Sequence, residues 1–315
     1  MKKLLLTRAF PEANINAAKA RFDVTVREDT KGMPVAEAAA ALRDYDAILT
    51  TLGDQFVADA FKGTIRCGVL ANFGVGYNHI DVNAAKAAGV QVSNTPDVVT
   101  DATADIAMTL ILSACRRAGE GERLVRAGQW DGWHPTQMLG THVTGKRLGI
   151  VGMGRIGQAV AKRAHFGFDM PVIYFNRSQK EVDVPSRQVD TLDALMSQSD
   201  IVVVTVPGGG ANTQLIDAEA LGQMQPTGVF VNVARGDVVD EDALIAALRD
   251  GKIAAAGLDV YAKEPVVPAA LMALENAVLL PHLGTAALEV REEMGQMALN
   301  NIIAWDDGED LPQAV

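Results

Sequence analysis

Short apolar runs alternate with amphipathic stretches along the whole chain. Runs of β-forming residues at 3–7, 22–26, 47–50 and 67–71 predict four strands, with helical spacing between them, as over 35–43. A second series is predicted at 147–151, 171–175, 201–206, 229–233, 255–260 and 277–280. Strands alternating with helices in this way build parallel sheets covered by helices on both faces, so the predicted class is α/β with doubly wound parallel sheets. Between the two series, helical spacing from near Asp101 to about Ala127 predicts one long helix. The segment that follows, GQWDGWHPTQMLG from Gly128 to Gly140, reads as a loop. It is long for a compact domain, which marks it as functional or interfacial. A last helix is predicted at about 287–305.

The chain has 315 residues, 49% of them hydrophobic and 21% charged, enough apolar side chain for about two cores. Its net charge of -11 and scattered basic residues argue against a nucleic-acid partner. The opening MKKLLLTRAF starts like a signal peptide, but Thr7 and Arg8 end the apolar run too early. No segment reaches the roughly 18 apolar residues that a membrane helix needs. Cys67 and Cys115 lie far apart in apolar contexts, which predicts buried, reduced thiols in a cytoplasmic protein. No His/Cys cluster predicts a metal site.

Candidate chemistry begins after the strand at 147–151. Gly152, Gly154 and Gly157 stand in G-x-G-x-x-G spacing between an apolar strand and an amphipathic helix. That context makes the spacing a dinucleotide-binding turn. The first glycine permits the turn, the second lets the backbone approach a pyrophosphate, and the third allows helix–strand packing. The N–H groups of Arg155 and Ile156, at the positive helix end, would hold the anion. The first strand of the chain has no such cradle, because 7–11 contains no glycine.

An NAD site carries an acid about 20 residues further on, to grip the ribose hydroxyls. This chain has Asn176-Arg177-Ser178 there. An acid would repel a 2′-phosphate, whereas Arg177 would attract one and Ser178 would add a donor. The expectation is NADP(H) in preference to NAD(H).

Three later strands are each followed by an ionisable residue: Arg235 after VFVNVA, Glu264 after AAAGLDVYAK, and His282 after AVLLP. In a parallel sheet all three project from the edge that carries the glycine turn, where ligands bind. Arg235 suits the planar carboxylate of a 2-oxo acid and can polarise its carbonyl. His282 can protonate the oxygen as hydride arrives, and Glu264 would orient and charge the imidazole. In the first series, NFGVGYNHID places Gly74 and Gly76 around Val75. The turn could offer the amides of Val75 and Gly76 to a substrate carboxylate. His79, in the same turn, is a weaker catalytic candidate.

The segments GVGYNHID, NTPDVVTDATAD, GKRLGIVGMGRIGQAVAKR, NVARGDVVDEDAL, AAAGLDVYAKEP and LLPHLGTA together resemble the D-isomer-specific 2-hydroxyacid dehydrogenase family, particularly its glyoxylate/hydroxypyruvate reductase branch. The resemblance covers nearly the whole chain. It implies a discontinuous flavodoxin-like substrate domain over 1–98 and 286–315, a Rossmann cofactor domain over 99–285, and an active cleft between them. It implies that Arg235 binds substrate and that His282, paired with Glu264, is the acid/base. Thr103 would lie near the cofactor phosphates, and Val206, Pro207 and Thr213 on the adenine side. Val233, Ala234, Asp259 and Gly284 would complete the cofactor site, Ala234 and Asp259 near the nicotinamide. It also implies a homodimer through the helix from Asp101 and the loop from Gly128 to Gly140. Trp130 or Trp133 would either reach the neighbouring active site or simply pack in the interface. Gly208-Gly209-Gly210 departs from the bulkier residues common in the family. The alternatives are a dehydrogenase for another 2-keto acid, such as a sugar-derived one, and a non-catalytic NAD(H)-sensing scaffold like the corepressors that share this fold.

Overall fold

The apolar runs become twelve strands in two separate, wholly parallel sheets. The computed structural model describes residues 1–315 and divides them into two units, Met1–Val99 with Thr285–Val315, and Thr100–Gly284.

The first unit holds β1 (Lys3–Leu6), β2 (Asp23–Val26), β3 (Ala47–Thr51), β4 (Val69–Phe73) and β5 (Gln91–Ser93) in the order β2-β1-β3-β4-β5. That is the flavodoxin-like order. Leu4, Leu5 and Leu6 of β1, and Val69, Leu70 and Ala71 of β4, are all buried. Central strands covered on both faces read as unbroken apolar runs for this reason. The closing helix, Leu288–Asp307, returns to this unit, and its Ala298, Leu299 and Ile302 join the core around Leu4, Leu49 and Val69.

The second unit holds β6 (Leu148–Val151), β7 (Val172–Phe175), β8 (Ser186–Gln188), β9 (Ile201–Val204), β10 (Val229–Asn232), β11 (Ala255–Leu258) and β12 (Ala277–Leu279). Their order is β12-β11-β10-β9-β6-β7-β8. The order reverses between β6 and β9, and the carboxyl ends there form the crevice that binds ligands in such sheets. No helix is long and apolar enough to cross a membrane.

The structure corrects several expectations. The long helix from Asp101 is two, Thr100–Cys115 and Ala118–Arg126. Arg117 between them is left-handed, with φ 52°, and the Cys115 carbonyl accepts the Thr141 amide at 2.7 Å instead of continuing the helical ladder. The strands expected at 22–26, 67–71 and 201–206 run over Asp23–Val26, Val69–Phe73 and Ile201–Val204. Two short edge strands, β5 and β8, were not anticipated. Three residues carry too little pattern to be read without the neighbouring strand they pair with.

Candidate active site

The glycine turn follows β6. Gly152 has φ 97°, and a Cβ there would lie 2.7 Å from Val206 Cγ1, so both backbone and space demand glycine. Its carbonyl accepts the Thr205 hydroxyl at 2.6 Å, which ties the turn to the end of β9. At Gly157 a Cβ would lie 2.3 Å from the Gly152 carbonyl oxygen, so the helix Arg155–Phe168 packs directly on the turn. Gly154 is different: nothing lies within 4 Å of where its Cβ would be. It faces open space beside a helix N-terminus that no side chain caps. First-turn amides lack intrahelical acceptors, so this end suits an anion. An open cradle that a Cβ would fill, backed by a helix end, fits the pyrophosphate of a dinucleotide.

Asn176, after β7, shapes this turn. Its Oδ1 accepts the Met153 amide at 3.2 Å and its Nδ2 donates to the Ser178 carbonyl at 2.7 Å. Arg177 and Ser178 are exposed, and the Arg177 guanidinium makes no hydrogen bond or ion pair within the chain. Val206 is half-buried and Pro207 and Thr213 are exposed in the loop after β9. The glycines of that loop have a local cause. A Cβ at Gly208 would lie 2.6 Å from Asp237 Oδ1 and 2.8 Å from Arg235 Cγ. The Gly209 amide donates to Asp237 Oδ2 at 2.7 Å, and φ is 76° there. Bulkier residues would collide with the Arg235 stem.

Arg235 follows β10. Asn232, buried at the end of that strand, accepts the Ala234 amide at 2.9 Å and donates to the Arg235 carbonyl at 2.9 Å. Val233 and Ala234 are buried behind this turn. Burial pulls the Arg235 guanidinium below its ordinary value, against the opposing charges of Glu264 and Asp237. Glu264 lies in the loop after β11, and its Oε2 meets His282 Nδ1 at 2.7 Å. Its Oε1 accepts the Tyr261 amide at 3.1 Å. Burial would raise the Glu264 carboxyl. The His282 hydrogen bond, the His282 and Arg235 charges and the Tyr261 amide outweigh it and hold the carboxyl below the ordinary range. The Tyr261 hydroxyl donates to the Leu280 carbonyl at 2.9 Å, tying this loop to the end of β12.

His282 itself is left-handed, with φ 54°. Asp259, at the end of β11, braces it. Its two oxygens accept the Leu283 amide at 2.6 Å and the Gly284 amide at 2.8 Å. Burial pushes the Asp259 carboxyl above its ordinary range, against those amides and the His282 charge. Thr103 is buried and donates to the Gly284 carbonyl at 3.3 Å, so it joins the group under His282. In the second unit, then, the structure brings Arg235, Glu264, His282, Asp259, Thr103 and Gly284 together. Arg177, Ser178 and Thr213 stand apart as exposed loop residues.

The turn after β4, in the first unit, is built by its carbonyls. Gly74 oxygen accepts Asn72 Nδ2 at 2.9 Å and the Thr95 amide at 3.1 Å. Gly76 oxygen accepts Asn72 Nδ2 at 3.1 Å, and Val75 oxygen accepts Asn94 Nδ2 at 2.9 Å. The amides of Val75 and Gly76 have no acceptor in the chain. His79 is buried with its carbonyl accepting the Phe56 amide at 3.1 Å. The structure adds Asn72, Asn94, Asn232, Asp237 and Tyr261 to the residues that shape these sites. Only Asn72 and Asn232 left a local trace, each a polar residue ending an apolar strand run.

A cofactor turn at the switch point, with an imidazole–carboxylate pair and a half-buried guanidinium on the same sheet edge, defines a dinucleotide-dependent oxidoreductase class of site. The family model for the D-isomer specific 2-hydroxyacid dehydrogenase NAD-binding domain matches residues 108–284, and the chain belongs to that family. A glyoxylate reductase of Pyrococcus furiosus is 42% identical over 99% of this chain and 95% of its own. A glycerate dehydrogenase of Hyphomicrobium methylovorum is 38% identical over 100% and 99%. Among solved structures, the NADPH-dependent glyoxylate/hydroxypyruvate reductase of Sinorhizobium meliloti, in complex with NADP and malonate, is similar with a TM-score of 0.89. It is 32% identical, over 100% of this chain and 96% of that one.

Proposed function

We propose that the chain is an NADPH-dependent reductase of small 2-oxo acids of the glyoxylate and hydroxypyruvate class. The observation that carries the reading is the 2.7 Å contact between His282 and Glu264, beside Arg235 on the edge that holds the glycine turn. The activities named for the similar glyoxylate reductases and glycerate dehydrogenase point the same way.

Gly152 to Gly157, with Arg155 and Ile156, would hold the pyrophosphate. Arg177 and Ser178 would hold a 2′-phosphate, with Asn176 shaping their loop. Val206, Pro207 and Thr213 would line the adenine side, and Val233 and Ala234 the nicotinamide end. Asp259, Thr103 and Gly284 act there by fixing the backbone on which His282 stands. Bound at this turn, the dinucleotide supplies the hydride. The Arg235 guanidinium binds the substrate carboxylate by paired donors and polarises the adjacent carbonyl. In the first unit, the amides of Val75 and Gly76 offer a second carboxylate-binding group. Glu264 accepts a hydrogen bond from Nδ1–H, which leaves Nε2 of His282 to deliver the proton to the substrate oxygen.

NADPH is favoured because an exposed arginine without an internal partner stands where an NAD site has an acid. Arg177→Ala is expected to cut the preference for NADPH over NADH by roughly 10- to 100-fold. Oxidation of NADPH on adding glyoxylate, with turnover lost in His282→Ala and Arg235→Ala while cofactor binding persists, tests the whole reading. Turnover retained in either variant would remove that residue from its role. We further propose a homodimer, because every residue from Val125 to Thr136 is exposed, Trp130 and Trp133 among them. A mass near that of one chain in sedimentation would reject it.

A further inference from the structure

The peptide joining Val75 to Gly76 carries two groups of opposite use. Its N–H, on Gly76, is one of the two unpaired amides; its C=O, on Val75, points the other way. A half-turn of this peptide plane would replace the donor by an acceptor, and the turn would repel a carboxylate. The Val75 oxygen has one donor to hold it, Asn94 Nδ2 at 2.9 Å. The neighbouring carbonyls of Gly74 and Gly76 are held separately by Asn72 and the Thr95 amide.

Asn94 in turn is held from the far end of the sequence. The segment 313–315 runs antiparallel beside β5, with an isolated bridge between Ser93 and Ala314. The Asn94 amide donates to the Gln313 carbonyl at 3.2 Å, and the Val315 amide to the Val92 carbonyl at 3.0 Å. Gln313 is locked at both ends by Asn301, which is fully buried in the closing helix. Asn301 Nδ2 donates to Gln313 Oε1 at 2.7 Å, and Asn301 Oδ1 accepts the Gln313 amide at 3.0 Å. One unbroken relay therefore runs from Asn301 through Gln313 and Asn94 to the Val75 carbonyl, all within the first unit.

We propose that Asn94 and Gln313 are positioning residues that lock the Val75–Gly76 peptide with its amide presented to the substrate carboxylate. This rests on the reading that the turn receives that carboxylate. A side chain that merely stabilised the fold would change the melting temperature without changing substrate affinity. A positioning residue changes KM.

Asn94→Leu keeps the size and removes the donor. KM for glyoxylate should rise about 5- to 10-fold, the equivalent of one hydrogen bond, with kcat and NADPH affinity changing less than twofold. Gln313→Ala should raise KM by a smaller factor. The double variant should be no worse than Asn94→Leu alone, because both act through one chain of contacts. Unchanged KM in Asn94→Leu, or strictly additive effects, would overturn the proposal. Gly76→Pro and Val75→Pro, each deleting one amide, separate the two readings. If whichever of them folds leaves KM unchanged, the turn does not bind the carboxylate and the proposal falls with that reading. If it raises KM while Asn94→Leu does not, the relay alone is wrong.

Discussion

His282 and Glu264 share a 2.7 Å hydrogen bond, and the second oxygen of the same carboxylate is held by the Tyr261 amide at 3.1 Å. The pair is thus anchored to backbone through Glu264.

The Glu264 carboxyl is held below its ordinary value in the folded chain. A depressed acid contributes stability that is present above its unfolded pKa and lost as pH falls through the folded one. Wild type should therefore be more stable than Glu264→Gln near neutrality, and the gap should close on acidification below about pH 4, the ordinary carboxylate range. Melting temperatures of both proteins from pH 7 to pH 3 check this. A gap that widened toward acid would contradict it.

Arg235 is half-buried, and its stem packs against Gly208. Lysine cannot reproduce a bidentate fork, so Arg235→Lys should lose about 100-fold in kcat/KM, mostly through KM. Steady-state kinetics with glyoxylate decide it, and a variant close to wild type would argue against carboxylate binding by this residue.

Two glycine-to-alanine changes should have opposite signatures. At Gly154 the new methyl meets nothing within 4 Å, so the apoprotein should melt as wild type does while dinucleotide affinity drops. At Gly208 it would come within 2.6 Å of Asp237 and 2.8 Å of the Arg235 stem. Overpacking of that kind costs about 1–3 kcal/mol and should also raise KM for the 2-oxo acid. Thermal melts with and without NADPH separate the two cases.

In the first unit, Arg8 Nη2 lies 2.9 Å from Asp54 Oδ1, and Asp54 is fully buried. Asp54 also takes hydrogen bonds from the Met33 amide, the Thr50 hydroxyl and the Thr51 amide. Arg8→Ala leaves a buried charge without its cation, which costs about 3–5 kcal/mol. Urea unfolding should show it, with partial recovery when Asp54→Asn is added.

Burial pushes the Cys67 thiol up to about 12 and the Cys115 thiol up to about 11. Thiolate is the reactive form. Neither cysteine should be alkylated by iodoacetamide at pH 8 in the native protein, and both should react once it is unfolded. Rapid labelling of either in the native state would refute their burial.

The sequence alone was enough for the α/β class and for most strands, because a buried parallel strand is an apolar run bounded by polar turns. It was enough for the glycine turn as well, since the left-handed backbone at Gly152 is a local demand that the glycine spacing records. It placed Arg235, Glu264 and His282 on one sheet edge by parity of direction alone. What it misread was the helix from Asp101, where the break at Arg117 is imposed by Thr141, which takes the Cys115 carbonyl. No propensity in the helix itself announces that contact.

Which atoms meet was left to the tertiary structure. The His282–Glu264 bond, the Asp259 brace on the Leu283 and Gly284 amides, and the relay from Asn301 to Val75 each join residues from different elements. Periodicity records which face of an element is buried, not which partner it finds there. A hydrogen bond needs its two atoms within about 3 Å, and only the packed sheets and the returning C-terminal helix set distances that fine.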